Sequence, residues 1–436
     1  MPAEPFPIMR LPLELRESIY AHYYVPDAGG VARDSEGGFF QSYDFDLRLN
    51  RVSKQVHAEA MKVFRRQFVF VKVQTPWPTA EYHKRAKDRS MLIVCIAVTH
   101  ISQEGPVPIV VAGEQAAKFD YHHATVSICA PIHQAEADYS LIILLKDLYL
   151  FSRVWFYSTL SYPRLNDHLR VDFTLRSDVQ EPEDNKTMSI ARQKQMLLPF
   201  GEVNGLHEVV VEGYDEDVKQ ELQRRMAVPH DTVQQCCEKA TDLMLEGDRV
   251  LAEGNAVEAL QLYNQAFHAL HILVKDRTRR VLAEVFFQET IATGRYSGQV
   301  GYTVRIILRI KLVSRVVGAY LKLQQWEEAA FWGMRSINLM QDAADENFED
   351  FVNKIIGGDA VGAIYLRTGI AFKKMEEGDS EELSLWEDEE GANSRAAWAL
   401  VGPFLKDKAM VEKEVNEYGI DVEDVWVERK AEDVEG

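Results

Sequence analysis

A mixed α+β front half followed by an all-α back half is what the sequence predicts, and three observations carry that prediction. Between residues 91 and 211 the apolar residues come in short runs of strand length, with one helical stretch among them. From residue 231 onward almost every apolar residue recurs at helical spacing. Within that back half, residues 243–266 read LMLEGDRVLAEGNAVEALQLYNQA, two helix-period patterns that meet at Gly254-Asn255. Leu243, Leu245, Val250 and Leu251 precede the break, and Ala259, Leu260, Tyr263 and Ala266 follow it, which is the pattern of a helical hairpin. Gly247 and Ala259 sit where a larger side chain would hold two helices apart, and Gly254 suits the left-handed residue that ends a helix. Such a hairpin buries one face only and needs stacked neighbours to complete a core.

The composition sets outer bounds. With 436 residues, 46% of them hydrophobic and 27% charged, the chain can build two or three domains with sizeable cores. A net charge of −19 and a pI near 5.2 repel nucleic acid and anionic membranes, so neither is expected as a partner. The four cysteines, Cys95, Cys129, Cys236 and Cys237, have neither zinc-site spacing nor the density of a disulfide scaffold. The start, MPAEPFPIMRLPLELRE, carries proline and charge where a secretory signal needs a continuous apolar run. The most apolar stretch, residues 141–156, is interrupted by Lys146, Asp147 and Arg153. The expectation is an intracellular protein, cytoplasmic or nuclear.

In chain order, Leu11-Pro12 opens a first helix in which Leu11, Leu15, Ile19 and Tyr23 share a face. It ends near Val25-Pro26, and residues 27–43, with two glycine pairs and several acids, read as an exposed loop. A second helix is expected over residues 47–66, with Leu49, Val52, Val56, Ala60 and Val63 inward, followed by a strand at 68–73. These segments, PLELRESIYAHYYV and LRLNRVSKQVHAEAMKVFRRQFVF, resemble the F-box-like domains found at the start of many filamentous fungal proteins. The match lies at Leu11, Pro12, Glu14, Leu15, Arg16, Ile19 and Tyr20, then at Gln55, Glu59, Ala60, Phe64, Phe68 and Phe70. The resemblance implies docking to a Skp1-type adaptor of ubiquitin ligases, with Leu11, Pro12, Leu15, Ile19 and Val52 as the partner-binding residues. Read from the residues alone, these apolar positions are either an interface left open on short helices or the domain's own core, and periodicity does not separate the two.

On that resemblance residues 1–75 are expected to form the F-box-like helices and strand, and residues 76–227 to continue them as an α+β block. Its strand runs are 92–98, 107–111, 125–129, 169–175 and 206–211, with a helix over 142–160 and a solvated loop over 177–187. A charged helix at 215–226 leads to Val228-Pro229-His230 and the domain boundary.

The helical domain is placed at 228–425, with an acidic tail at 426–436. Its first hairpin continues through His268 and Leu273, an additional helix is expected over 277–291, and residues 293–301 form a glycine-rich loop. A second hairpin spans 311–337, and a third first-helix spans 362–375, followed by nine acids between 376 and 390 that read as a disordered insertion. Residues 392–408 supply a closing helix and 410–418 a charged cap. The small residues Gly247, Gly254, Ala259 and Ala266, with Tyr263, then Tyr320, Trp326, Ala329 and Ser336, resemble the tetratricopeptide (TPR) repeat family. Ala259 and Ala329 stand seventy residues apart, about twice the usual period of about 34, so helices are extended or a pair is inserted.

No enzyme constellation emerges: there is no phosphate loop, no G-x-S-x-G and no H-E-x-x-H. His122-His123 and His268 with His271 lack the partners of a metal site, and no cofactor is expected. Cys236 and Cys237 read as buried core. The repeat resemblance assigns a concave groove to the first helices, which carries over to Lys311, Arg315, Lys322, Arg367, Lys373 and Lys374, with Arg305 and Arg309 upstream. Such a row implies capture of an acidic peptide, or else a solvated face neutralised by the chain's own acidic insertion. Met244 and Asp248 stand where chaperone-binding repeats place a Lys and an Asn, which argues against chaperone clamping. The chain is expected to be a non-catalytic protein–protein adaptor: a substrate receptor of an SCF-type ubiquitin ligase, or alternatively a TPR scaffold with a structural N-terminal domain.

Overall fold

The computed structural model describes residues 8–33, 39–76, 107–176, 188–275, 277–342, 358–386 and 392–426. The expected strand at 92–98, the loop at 177–187 and most of the acidic tail lie outside these residues. The chain divides into two compact units, residues 1–230 and 231–436. The first is α+β and the second is almost entirely helical.

The first unit is built on an eight-stranded mixed sheet. Its strands are β1 (Asp27–Arg33), β2 (Phe39–Asp44), β3 (Phe70–Thr75), β4 (Ile109–Ala112), β5 (Ala124–Cys129), β6 (Tyr139–Leu144), β7 (Arg170–Leu175) and β8 (Glu208–Glu212), in spatial order β1-β2-β4-β6-β3-β5-β7-β8. Helices α1 (Leu13–Tyr23) and α2 (Lys54–Gln67) cover one face through Tyr20, Tyr24, Val56, Ala60 and Phe64, which meet Phe70, Ile142 and Leu144. A one-turn helix α3 (Glu114–Ala117) follows β4. The other face packs Val71, Val73, Leu141 and Ile143 against α4 (Leu148–Ser161), α5 (Ile190–Leu197) and α6 (Glu216–Met226) through Phe151, Trp155, Met196, Val218 and Leu222.

Two expectations for this unit are corrected. Where an exposed loop is expected, Asp27–Arg33 and Phe39–Asp44 pair as the antiparallel strands β1 and β2, with a register shift between Ala28 and Gly30 at the glycine pair. The helix expected over 142–160 begins only at Leu148, because Leu141 to Leu144 form the end of β6. Covered on both faces, that strand needs no polar alternation, so its run of apolar residues carries no period to read. The second helix also starts late. A 3-10 turn (Arg48–Arg51) precedes it, and Ser53 caps α2 by accepting from the Val56 N–H at 3.1 Å.

The second unit stacks α7 (Val233–Ala252), α8 (Ala256–Ala269), α9 (Gly301–Lys322), α10 (Trp326–Asp342) and α11 (Gly358–Glu377) so that each packs on its neighbours. Short helices α12 (Ser394–Trp398), α13 (Lys408–Asn416) and α14 (Val422–Val425) close the stack. Thr232 and Gln235 form a reciprocal capping box at the start of α7, and Gly254 ends its hairpin turn at φ +92°. A Cβ on Gly247 would lie 2.4 Å from the Tyr263 ring, so the absence of a side chain there sets the α7–α8 spacing.

The seventy-residue spacing between hairpins has a different source from the helix expected over 277–291. α8 stops at Ala269, and His271 takes φ 53°. A β-hairpin then follows, β9 (Ile272–Lys275) with β10 (Thr278–Val281), and after it a 3-10 turn (Phe286–Gln288). Arg305 of α9 pins this insertion: its Nη2 donates to the carbonyls of His271 at 3.1 Å and Leu282 at 2.7 Å. In the acidic stretch after α11, Glu381–Trp386 form a 3-10 helix, the Trp386 ring lies 6.0 Å from Phe372, and Glu382 pairs with Arg277 at 2.9 Å. The closing helix is five residues long, since Gly402-Pro403 interrupts it, although Val401, Phe404 and Leu405 stay buried.

Candidate partner-binding surfaces

In the first unit the motif residues of the two N-terminal helices meet in one network. Arg16 Nε and Nη2 donate to the two Glu59 oxygens at 2.8 and 2.7 Å, and Arg16 Nη1 donates to the Leu11 carbonyl at 2.6 Å. Tyr20 donates its hydroxyl to Glu59 at 3.1 Å, and Gln55 Nε2 does so at 2.9 Å. These hydrogen bonds, that of Arg16 first, hold the Glu59 carboxyl at about 2 against an ordinary 4.5. A carboxyl depressed in the folded state stabilises above its unfolded pKa and loses that contribution as pH falls through the folded one. The Glu59 contribution is therefore expected to be full above about pH 4.5 and to vanish toward pH 2. Urea midpoints followed against pH should show Glu59→Gln losing stability at neutral pH and flattening the acid limb of the first unit.

This network fixes which way α1 faces. Arg16, Tyr20 and Tyr24, four residues apart, point inward, so the next stripe, Leu15, Ile19 and Tyr23, points away from the core. Leu15 is 53% exposed and Ile19 40%, while Val52 on the turn before α2 is 67% exposed. Leu11 is half-buried and Pro12 exposed. The Tyr24 hydroxyl bonds Asn50 and ties that turn to the end of α1. Leu15, Ile19 and Val52 therefore lie outside the domain's core.

The second unit holds a groove of about 1060 Å³. Lys311, Arg315 and Lys322 line it as one stripe of α9, joined by Arg367 of α11 and by Met244 and Asp248 of α7. Lys373 and Lys374 lie off its lining and face Glu377 at 4.0 and 2.6 Å. Arg305 is not a groove residue either, being buried against the β9–β10 insertion, and Arg309 is absent from the lining. Three of the groove's cations are met by carboxylates of the same unit. Arg315 Nε donates to Asp248 at 2.7 Å, Arg367 pairs with Glu414, and Lys322 pairs with Glu417. The carboxylates that meet these three thus come from α7, α13 and the turn after α13, while Glu377, at the start of the acidic stretch, meets Lys373 and Lys374. Five cations (Lys311, Arg315, Lys322, Arg367, Lys413) face four carboxylates (Asp248, Asp359, Glu414, Glu417).

A second cavity, of about 740 Å³, opens in the first unit beside Phe68, Leu144, Lys146, Tyr149, Arg192, Lys194 and Arg225. Among the described residues its lining carries cations, amides and apolar groups without a carboxylate, imidazole or thiol. His122 lies 3.3 Å from Arg176, and burial first, then that charge, lower its pKa to about 4. Cys236 and Cys237 are buried, which pushes both thiols up to about 12. Both are expected to resist alkylation in the folded chain and to react at once in urea, as mass-labelling with iodoacetamide would read.

Among the described residues no helix is long and apolar enough to cross a membrane, and no three His, Cys, Asp or Glu side chains gather as metal ligands would. No family model, curated protein or solved structure matches the chain.

Proposed function

We propose that the chain is a non-catalytic interaction adaptor whose N-terminal helices dock onto a Skp1-type adaptor of an SCF-type ubiquitin ligase, while the helical unit selects the protein to be modified. The observation that supports this reading is the outward apolar stripe of α1, Leu15 and Ile19, with Val52 beside it on the turn that α1 holds. A helix that buries an ion-paired arginine and turns its aliphatic side chains to solvent is arranged for a partner rather than for its own domain. The docking rests on apolar burial, so one charge placed in its centre should be decisive. Leu15→Asp is expected to weaken binding of the purified Skp1-type adaptor roughly 100-fold in titration calorimetry, the scale of a central hot spot. Its melting temperature should stay near the wild type, because Leu15 contributes little to the core. Unchanged affinity in that variant would refute the assignment.

The alternative, a TPR scaffold for an acidic peptide, has less support. An incoming carboxylate would have to displace Asp248 from Arg315 and Glu414 from Arg367. Lys373 and Lys374, which that reading also assigns to the groove, lie off its lining.

A further inference from the structure

Outside the groove of the second unit, four arginines converge where the β9–β10 hairpin meets α9 and α10. Arg305 is 2% exposed, with its guanidinium carbon 4.3 Å from the centre of the Phe287 ring. One of its nitrogens binds the two carbonyls of the insertion, but Nε and Nη1 are buried without a hydrogen-bond partner. Arg279 on β10 is 8% exposed, lies over Trp332 of α10 at 5.8 Å, and leaves Nη1 buried and unpartnered. Arg309, one turn after Arg305, and Arg335, one turn after Trp332, are half-buried. Arg335 Nη1 donates to the Arg277 carbonyl at 2.9 Å.

The four charges repel one another. Arg309 and Arg335 face Arg279, and Arg309 faces Arg305. Among the described residues the carboxylate facing Arg305 and Arg309 is Glu284, which is solvent-exposed and makes no ion pair with either. Burial, the first cause in each, lowers Arg279 to about 9 and Arg305 to about 10, so both remain cations at neutral pH. A guanidinium cannot escape burial by shedding its proton, and a desolvated cation with unused donors is stabilised by a counter-anion.

We propose that this cluster binds a compact, multiply charged oxyanion of the phosphate class, held by the buried Arg279 and Arg305 and by the half-buried Arg309 and Arg335. Planar guanidinium forks match the oxygens of a tetrahedral anion, and here the unpartnered N–H groups are the buried ones. Inorganic phosphate and a phosphorylated small molecule present the same chemistry, and chain length separates them.

The test is thermal melting and titration calorimetry of the full chain at constant ionic strength, with sodium chloride, inorganic phosphate and tripolyphosphate as probes. Tripolyphosphate is expected to raise the melting temperature by several degrees over chloride and to bind with one site per chain. A comparable gain with inorganic phosphate would point to the single phosphate as ligand, and a gain confined to tripolyphosphate to a phosphorylated molecule. Arg309→Gln, which removes a half-buried charge that makes no structural hydrogen bond, should lower affinity roughly tenfold. If that variant does not fold, Arg335→Gln carries the same expectation. Equal effects of all three salts, or undiminished affinity in the folded variant, would overturn the proposal. So would indifference of the wild type to phosphate together with destabilisation on neutralising Asp345, Glu346, Glu349 and Asp350, the acids that follow α10 in sequence, since the counter-charge would then be the chain's own.

Discussion

Gly369→Val is expected to destabilise the second unit by about 3 kcal/mol or more, the upper range for forcing extra atoms into a packed core. A Cβ at Gly369 would lie 2.2 Å from Nε1 and 2.4 Å from Cδ1 of Trp398. The indole cannot swing aside, because it is 4% exposed and its Nε1 donates to the Leu366 carbonyl at 3.1 Å. Helix propensity opposes this by less than about 1 kcal/mol, the whole advantage of alanine over glycine, so the clash wins. Gly333 is built the same way: its Cβ would meet Thr368 Oγ1 at 1.9 Å, and that fully buried hydroxyl is committed to the Ile364 carbonyl. Urea unfolding followed by tryptophan fluorescence and circular dichroism reads the loss. Val257→Ala, at an exposed position of α8, should stay within about 0.5 kcal/mol of the wild type. A Gly369→Val variant as stable as that control would show that α11 and α12 are not packed as described.

Arg367→Leu is the second large effect expected, about 2 to 3 kcal/mol. Arg367 Nη1 donates to the Ser314 carbonyl at 2.6 Å, its Nε binds Glu414, and the contact joins α9, α11 and α13. Removing one partner of a fully buried pair costs about 3–5 kcal/mol, because the other charge is left without compensation. The value is lower here because the two side chains keep 20% and 18% of their surface. The double change with Glu414→Leu should recover most of the loss, giving a coupling free energy above about 1 kcal/mol in a double-mutant cycle. Additive losses would mean that Glu414 does not anchor the cap to Arg367.

These expectations show what could be read from the chain in advance. The hairpin at 243–266 was legible because Gly247 and Gly254 answer local requirements, a close ring and a left-handed backbone. Arg16, Tyr20, Gln55 and Glu59 could be picked out as a pattern, and the folded chain gives the reason for their spacing: all four meet at one carboxylate. That network also settles the side on which Leu15 lies, which periodicity left open.

The β9–β10 insertion was not legible, since Arg277-Thr278-Arg279-Arg280 before Val281-Leu282 carries no period that a four-residue strand would reveal. Nor was the balance of the groove. Lys311, Arg315, Lys322 and Arg367 form a basic row in sequence, whereas their counter-charges come from Asp248, Glu414 and Glu417, up to 95 residues away. The four-arginine cluster is assembled from three separate elements, so no sequence window contains it.

The measurement that bears most directly on the adaptor assignment is sedimentation equilibrium of the purified full chain mixed with a purified Skp1-type adaptor. A one-to-one complex that Ile19→Asp dissolves, with its fold intact by circular dichroism, is the predicted result. Two independently sedimenting species at micromolar concentration would contradict it.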